Sequence, residues 1–343
     1  MSDILIGVDL AKNIFYVHGA RLDGQVLFKK KLTRVQFSRF MKKQDPALVV
    51  FEACGGAHHW SREMEALGHS VKLIPPQYVK PFVKRQKNDA ADAEAIVIAA
   101  RQPEMRYVSP KSVDQQSRAA IFRGRERLVH QRTADVNALR AVLYEHGHVF
   151  AKGLASLKRI QELVDDHDST LPDLIREECQ DLLEQISEKT TRIDERTNKL
   201  KALSAQSDQS RQLQTMPGLG PMTAIAIEAF APDMSMFKCG RDFAAYLGLV
   251  PRQFSSGGKE RLGKMTKAGQ ADIRRLFIIG AMSRLTVRSQ TTVKEGSWIS
   301  RMLARKPKML VAIALANKMA RQVWAMLTKG ENFKDPALIS MAS

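Results

Sequence analysis

Ile4-Leu5-Ile6-Gly7-Val8-Asp9 is an apolar run that ends in an acid, and it decides how the first third of the chain is read. Residues 14–20 are β-branched and aromatic, Asp23-Gly24 is a hairpin signal, and residues 25–32 alternate before charge takes over. Together these predict a three-stranded meander. Val35, Phe37, Phe40 and Met41 then fall at helical spacing over 35–43, and the apolar strand 47–51 delivers Glu52 at its carboxyl end. A helix through Trp60, Met64 and Leu67 should stop at Gly68, since glycine takes the left-handed conformation past a last turn without strain. A fifth strand, 71–74, is halted by Pro75-Pro76, and 89–101 reads as a helix with acids in its first turn.

Strand, strand, strand, helix, strand, helix, strand, helix is the order of an RNase H-like α/β domain. Beyond Pro103 and Pro110, residues 112–144 read as one long helix carrying Arg118, Arg123, Arg125, Arg127, Arg132 and Arg140, with sparse apolar members; six guanidiniums cannot all face a core, so Arg118, Arg123, Arg125, Arg127 and Arg132 are candidate nucleic-acid contacts. Helical pattern continues over 154–203 with a break near Pro172. There Cys179, Leu182, Ile186, Ile193, Leu200 and Leu203 keep a 3-4 spacing that Lys189 and Arg196 interrupt, which predicts an antiparallel helical hairpin or short coiled coil able to dimerise. Glycines crowd the region from Gly218 to Gly269, marking a compact unit of short elements before a last pair of apolar helices. The expected division is 1–110, 111–208 and 209–343.

Lys plus Arg number 54 against 36 Asp plus Glu, a formal charge of +18 that a polyanion would relieve, so nucleic acid is the first partner to consider. No apolar stretch approaches the ~18 residues needed to span a bilayer, so no membrane role is expected. Met1-Ser2-Asp3-Ile4 lacks the basic and apolar regions of a signal peptide, and a cytoplasmic location is expected. Cys54, Cys179 and Cys239 are far apart and form no C-x-x-C pair, which argues against a disulfide framework or thiolate zinc site.

In an RNase H-like sheet the first and fourth strands are neighbours, which would set Asp9 and Glu52 side by side. Asp89 and Asp92, three apart at a helix start, share a helix face. Two unit charges about 4 Å apart repel by roughly 4 kcal/mol at an effective dielectric of 20, so a convergent set of four needs bound cations or protonation. Hard oxygen ligands point to Mg2+ or Mn2+, and a pair of such ions suits phosphodiester cleavage. Taken singly, Asp89 and Asp92 would be first-turn acids complementing the helix dipole, but Glu52, a carboxylate closing an apolar strand, has no structural reason to sit there. Actin-like ATPases and sugar kinases also open on a strand ending in aspartate, yet Asp9-Leu10-Ala11-Lys12 lacks the glycine and hydroxyl that wrap phosphate, and there is no P-loop.

Met216-Pro217-Gly218-Leu219-Gly220 has the form of a helix-hairpin-helix turn, in which Gly218 and Gly220 would let backbone N–H groups approach a phosphate. Further on, Ser255-Ser256-Gly257-Gly258 lies amid Arg252, Lys259, Arg261, Lys264 and Lys267. By residue chemistry alone this is a flexible phosphate-binding loop, because serine is a weak nucleophile without activation.

Gly7-Val8-Asp9-Leu10-Ala11-Lys12, Phe51-Glu52-Ala53, Lys87-Asn88-Asp89-Ala90-Ala91-Asp92-Ala93, Met216 to Gly220, Phe243 to Arg252, and Ser256-Gly257 through Lys267-Ala268-Gly269 follow one another as they do in DEDD transposases. The chain resembles that family over nearly its whole length: the Piv/MooV invertases and insertion-sequence family one-ten with its eleven-eleven branch, including bridge-RNA-guided recombinases. The resemblance implies an α/β N-terminal domain like that of the Holliday-junction resolvase RuvC, a helical coiled-coil insert, and a mainly helical C-terminal transposase domain. It places the acid tetrad on Asp9, Glu52, Asp89 and Asp92 and, since the family's serine precedes a glycine, the nucleophile on Ser256 rather than Ser255. It further implies a magnesium-assisted serine–phosphodiester intermediate, double-stranded donor and target DNA, a guide or bridge RNA, a dimer or tetramer, and a bacterial, nucleoid-associated location. Two alternatives stand beside it: a metal-only, resolvase-like nuclease in which Ser256 binds phosphate, and a non-enzymatic basic scaffold.

Overall fold

The computed structural model describes residues 3–84, 89–286 and 296–334, with only the backbone of Asp89. The chain divides into two compact units, Met1–Asp114 and Gln115–Ser343.

The first unit is built on a five-stranded mixed sheet. Strands β1 (Ile4–Leu10), β2 (Ile14–Arg21), β3 (Val26–Thr33), β4 (Leu48–Glu52) and β5 (Ser70–Ile74) lie in the order β3-β2-β1-β4-β5. The first three form the expected antiparallel meander, and β4 and β5 run parallel to β1, an order compatible with an RNase H-like domain. Alternation along β1 sorts the two faces. Ile6 and Val8 join Phe15, Phe37, Trp60 and Met64 beneath helices α1 (Arg34–Met41) and α2 (Ala57–Ala66). Phe15, Phe37 and Trp60 meet edge to face, with ring centroids 4.9 to 5.3 Å apart. A capping box between Thr33 and Gln36 starts α1. After Pro75 comes the short helix α3 (Pro76–Val79), which sequence pattern did not anticipate. On the opposite face, Leu5, Val50 and Ile74 pack against Ala95, Ile96, Val97 and Ala99, which lie on helix α4 (Asp89–Ala100).

The second unit is helical. Helices α5 (Val113–Glu145) and α7 (Asp173–Gln206) are antiparallel, since Arg125 meets Thr197, Arg132 meets Thr190 and Asp135 meets Lys189. Between them in sequence, α6 (Leu157–Asp165) closes the tip of this hairpin around Leu139, Leu143, Ile160, Cys179 and Ile186. The residues that interrupt the apolar seam are both accommodated. Lys189 Nζ pairs with Asp135 Oδ2 at 3.0 Å, and the Arg196 guanidinium fills the space a side chain at Gly124 would need. At the other end of the hairpin, Ala119, Phe122 and Leu200 share a core with α8 (Asp208–Gln214), α9 (Pro221–Phe230), α10 (Gly240–Tyr246), α11 (Ala271–Thr286) and α13 (Lys308–Lys329). Helix α9, apolar apart from Thr223 and Glu228, is buried from Thr223 to Phe230. Strands β6 (Pro251–Gln253) and β7 (Leu262–Met265) form an antiparallel hairpin, and α12 (Trp298–Leu303) precedes α13. Among the described residues no helix is long and apolar enough to cross a membrane.

Candidate functional site

Asp9 and Glu52 stand at corresponding places on adjacent parallel strands, because Val8 is paired with Phe51 and each acid is the next residue. Leu5 and Val50 face α4, so alternation turns Asp9 and Glu52 toward the same helix. Gly7 sets how near that helix comes. A Cβ there would stand 2.7 Å from the Ala93 carbonyl oxygen and 2.6 Å from Val97 Cγ2, so only glycine lets α4 rest directly on β1. The residue before Ala93 is Asp92, and its charge is felt across the gap. Burial, and after it the Asp92 carboxylate, hold the Glu52 carboxyl above its ordinary pKa. Cys54 sits past the same strand end, its thiol pushed up by burial and then by Glu52 and Asp9.

Asp9, Glu52 and Asp92 are all partly buried, a setting in which repulsion between carboxylates is weakly screened. The expected fourth acid, Asp89, begins α4, and its side chain lies outside the described residues. Among the described residues no three His, Cys, Asp or Glu side chains are close enough to hold a metal ion together. The donor chemistry of the acids still fits a hard cation: carboxylate oxygens from the carboxyl ends of β1 and β4 and from the helix α4 that covers that face, with one carboxyl held above its ordinary pKa.

Ser256 is at the tip of the β6–β7 hairpin. Its carbonyl accepts from the Lys259 N–H at 3.1 Å, and Gly257 and Gly258 have φ of 56° and 75°. Positive φ at both central residues is the signature of a type I′ turn, whose twist matches that of the flanking strands. The segment expected to be a flexible loop is therefore the turn of a β-hairpin. Arg252, Lys259, Arg261 and Lys264 are exposed along it, and Phe254 lies across Gly263, where a Cβ would come within 2.6 Å of the ring. Ser255 Oγ accepts from the Arg261 N–H at 3.4 Å, which ties that serine to the opposite strand. Past the hairpin, Lys267 is exposed with φ of 56°, and its N–H bonds the Gly248 carbonyl at 3.3 Å.

The glycine turn between α8 and α9 divides its two glycines. Gly218, at φ 88°, is packed on α11, where a Cβ would stand 2.7 Å from the Gly280 carbonyl oxygen. Gly220 precedes α9 with open space around it. The arginines of α5 also divide. Arg118 pairs with the buried Glu228, which also accepts from Ser207 and, at 2.7 Å, from Ser210. Arg125 bonds Thr197 at 2.7 Å and the buried Glu126, to which Arg275 also pairs, and Arg132 bonds Thr190 at 3.1 Å. Arg123 lies over the Phe230 ring at 5.2 Å and is exposed, as is Arg127. Sequence reasoning did not single out Glu126, an acid flanked by Arg125 and Arg127, or Glu228, an acid within an apolar run, nor the spacing role of Gly7.

Residues 210–295 match the profile of the transposase IS116/IS110/IS902 family, and residues 6–147 match a second family described as transposase, of the DEDD, IS110 type. The chain is 41% identical to the putative transposase y4pF/y4sB of Sinorhizobium fredii, over 96% of this chain and 86% of that protein. It is 40% identical to a probable family 20 transposase of Pseudomonas aeruginosa, over 94% and 96%. With the transposase for insertion sequence element IS1111A of Coxiella burnetii the identity is 35%, over 97% and 92%.

Proposed function

The chain belongs to the IS116/IS110/IS902 transposase family and is a DNA cleaving and rejoining enzyme, and from that premise we propose that Ser256 is its nucleophile and the acids of an RuvC-like first unit its cation site. In this reading Ser256 Oγ attacks a DNA phosphorus and loses its proton. The phosphodiester bond to the leaving strand breaks, the departing sugar oxygen takes up a proton, and DNA remains joined to the serine. A hydroxyl from the exchanged strand then attacks the phosphoserine and regenerates Ser256.

The observation that carries this reading is that Asp9 and Glu52 each follow the last mutually paired residues, Val8 and Phe51, at the carboxyl ends of the adjacent strands β1 and β4, with Asp92 within electrostatic reach. Asp9, Glu52 and Asp92, with Asp89 by its place on α4, would hold Mg2+ or Mn2+. Such an ion, when bound, stabilises charge at the phosphate and favours ionisation of an attacking oxygen. Arg252, Lys259, Arg261, Lys264 and Lys267 orient the DNA backbone beside Ser256, with Gly220 and the start of α9 as a helix-hairpin-helix phosphate contact. Arg123 and Arg127 are the arginines of α5 best exposed for nucleic acid. A bridge RNA selecting double-stranded donor and target DNA by base pairing, and a dimer or tetramer assembled through the α5–α7 hairpin, complete the proposal.

Denatured reaction mixtures containing the element's own DNA ends should hold DNA covalently attached to Ser256. Ser256→Ala abolishes adduct and recombination, a loss far beyond the ~1 kcal/mol of one neutral hydrogen bond, whereas Ser255→Ala retains both. Asp9→Ala and Glu52→Ala abolish cleavage while leaving nucleic-acid retention intact. Cleavage by Ser256→Ala with no adduct from wild type would replace this mechanism with the metal-only nuclease.

A further inference from the structure

At the base of the β6–β7 hairpin lies a groove of about 1030 Å³, formed where α10, α12 and α13 meet the two strands. Its lining contains the cations Arg241, Lys264, Lys318 and Arg321 and no Asp or Glu. Among the described residues none of the four forms an ion pair with a carboxylate. Arg241, Lys264 and Arg321 are exposed at the rim. The floor has a different character. Leu249, Ile313 and Ala314 line it together with two of the chain's three tryptophans, Trp298 and Trp324. Lys318 Nζ stands 5.2 Å from the Trp298 ring centre, joining a cation to an aromatic surface within the groove. Gly240 keeps the groove's wall thin, since a Cβ there would come within 2.9 Å of the Arg321 carbonyl oxygen and force α10 away from α13.

An apolar, aromatic floor under a cationic rim is the surface that single-stranded nucleic acid requires, with bases stacking below and phosphates neutralised above. Duplex DNA would engage the rim but leave the floor uncovered, because its bases are already stacked and paired. We propose that this groove binds the unpaired bases of the DNA strand that passes the β6–β7 hairpin, seating them beside Trp298 and Trp324 with their phosphates at Arg241, Lys264, Lys318 and Arg321. DNA rather than RNA is the occupant because Pro251, Gly263, Lys264 and Met265 belong to the hairpin that carries Ser256, and this choice rests on the reading of Ser256 as nucleophile. The groove holds strand already unpaired beside the cut, so that the end awaiting exchange does not re-anneal.

The test is a binding measurement on the full chain, independent of strand cleavage. Tryptophan fluorescence is titrated with a 12-nucleotide oligothymidylate, the corresponding dA·dT duplex, and an oligouridylate of equal length. Trp60 is buried in the first unit, so quenching reports Trp298 and Trp324. Oligothymidylate is expected to quench and to bind more tightly than duplex. Trp298→Ala should weaken it roughly five- to hundredfold, the range that loss of one stacking platform produces, with duplex binding unchanged. Lys264→Glu combined with Arg321→Glu, both exposed and so tolerated by the fold, should weaken it comparably and flatten its salt dependence. Equal affinity for strand and duplex, or strand binding indifferent to both sets of substitutions, overturns the proposal. Tighter Trp298-dependent binding of oligouridylate overturns the assignment to DNA. A covalent adduct at Ser256 is scored separately, so loss of one reading leaves the other measurable.

Discussion

Replacing Gly7 by alanine adds one carbon at the place where α4 rests on β1. The new Cβ would stand 2.7 Å from the Ala93 carbonyl oxygen, 2.6 Å from Val97 Cγ2 and 3.1 Å from the Val97 nitrogen. Val97 Cγ2 can swing aside, but the other two atoms are helix backbone and cannot. Reaching an ordinary separation of 3.4 Å requires the Ala93 oxygen to retreat by 3.4 − 2.7, about 0.7 Å, carrying the start of α4 and Asp92 with it. Overpacking of this kind costs about 1–3 kcal/mol. Displacement of a functional group by close to 1 Å lowers rate by up to about a hundredfold. We expect Gly7→Ala to lower the stability of the full chain in urea by that margin and strand cleavage by on the order of ten- to a hundredfold. The Glu52 carboxyl, now held up by burial and by Asp92, should move toward its ordinary pKa, which carbon-detected NMR of the metal-free protein would register. Gly55→Ala is the control, since a Cβ there meets nothing within 4 Å. A Gly7→Ala protein with wild-type stability and wild-type cleavage would refute the claim that this glycine spaces the acids.

Charge reversal at Arg123 and Arg127 should lower the slope of log affinity for duplex DNA against log salt by roughly 0.9 for each phosphate no longer neutralised, measured by fluorescence anisotropy. Arg118→Ala should instead cost about 3–5 kcal/mol in urea unfolding with the slope unchanged, because it leaves Glu228 buried without its guanidinium; a changed slope would return Arg118 to the nucleic-acid surface. His18 is buried in β2, and burial, followed by Lys29, holds its imidazole below the ordinary value of 6.5. The unfolded chain therefore takes up the proton first, so the stabilisation is complete above about pH 6.5 and is lost as pH falls from there through the lowered folded-state value. Urea unfolding followed by Trp60 fluorescence, with Trp298 and Trp324 replaced by Phe, should show this loss, and His18→Gln should reduce it; equal acid sensitivity of the two proteins would dismiss His18 as its source.

The formal charge of +18 overstates what the folded chain offers a polyanion on α5. Arg118 and Arg125 meet buried carboxylates, Arg132 bonds a threonine hydroxyl, and Arg140 donates to the Phe150 carbonyl at 3.0 Å. These guanidiniums join α5 to α7, to α9 and to the loop after α5, work that a planar five-donor group does while its stem packs against apolar neighbours. Six arginines on one helix suggest a solvated cationic face, but only part of that face is free, because Glu126 and the distant Glu228 supply internal partners. By contrast, the β6–β7 hairpin presents Arg252, Lys259, Arg261 and Lys264 in an exposed row, so cation density there reports surface charge directly.

Period-2 and period-3.6 patterns located the strands and the longer helices of the first unit to within a few residues, because β1, β2 and β4 carry buried faces that the helices cover, while the largely exposed β3 was legible from its alternation and the Asp23-Gly24 turn. The helical pattern of α7 was legible for the same reason, even with Lys189 and Arg196 in its seam, but the hairpin expected within 154–203 is instead made with α5, which lies before that stretch. Of the features that were not legible, two bear directly on the acids and on Ser256. Gly7 looks like any glycine in a strand, and its meaning lies in helix backbone at Ala93 and Val97, far along the sequence. Ser255-Ser256-Gly257-Gly258 reads as a flexible loop because serine and glycine are the residues of flexible loops, whereas its order comes from partners outside the quartet. Lys259 closes the turn, Phe254 covers Gly263, and Thr266 N–H bonds the Val250 carbonyl at 2.9 Å at the hairpin base. A two-stranded ribbon is marginal in water by itself, so these interactions separate a floppy phosphate-binding loop from a serine held at a fixed point of a type I′ turn. The role proposed for Ser256 calls for the second, since an attacking oxygen gains rate only when its position is settled before the phosphate arrives. Local composition is the same in both cases, and only the long-range pairing tells them apart.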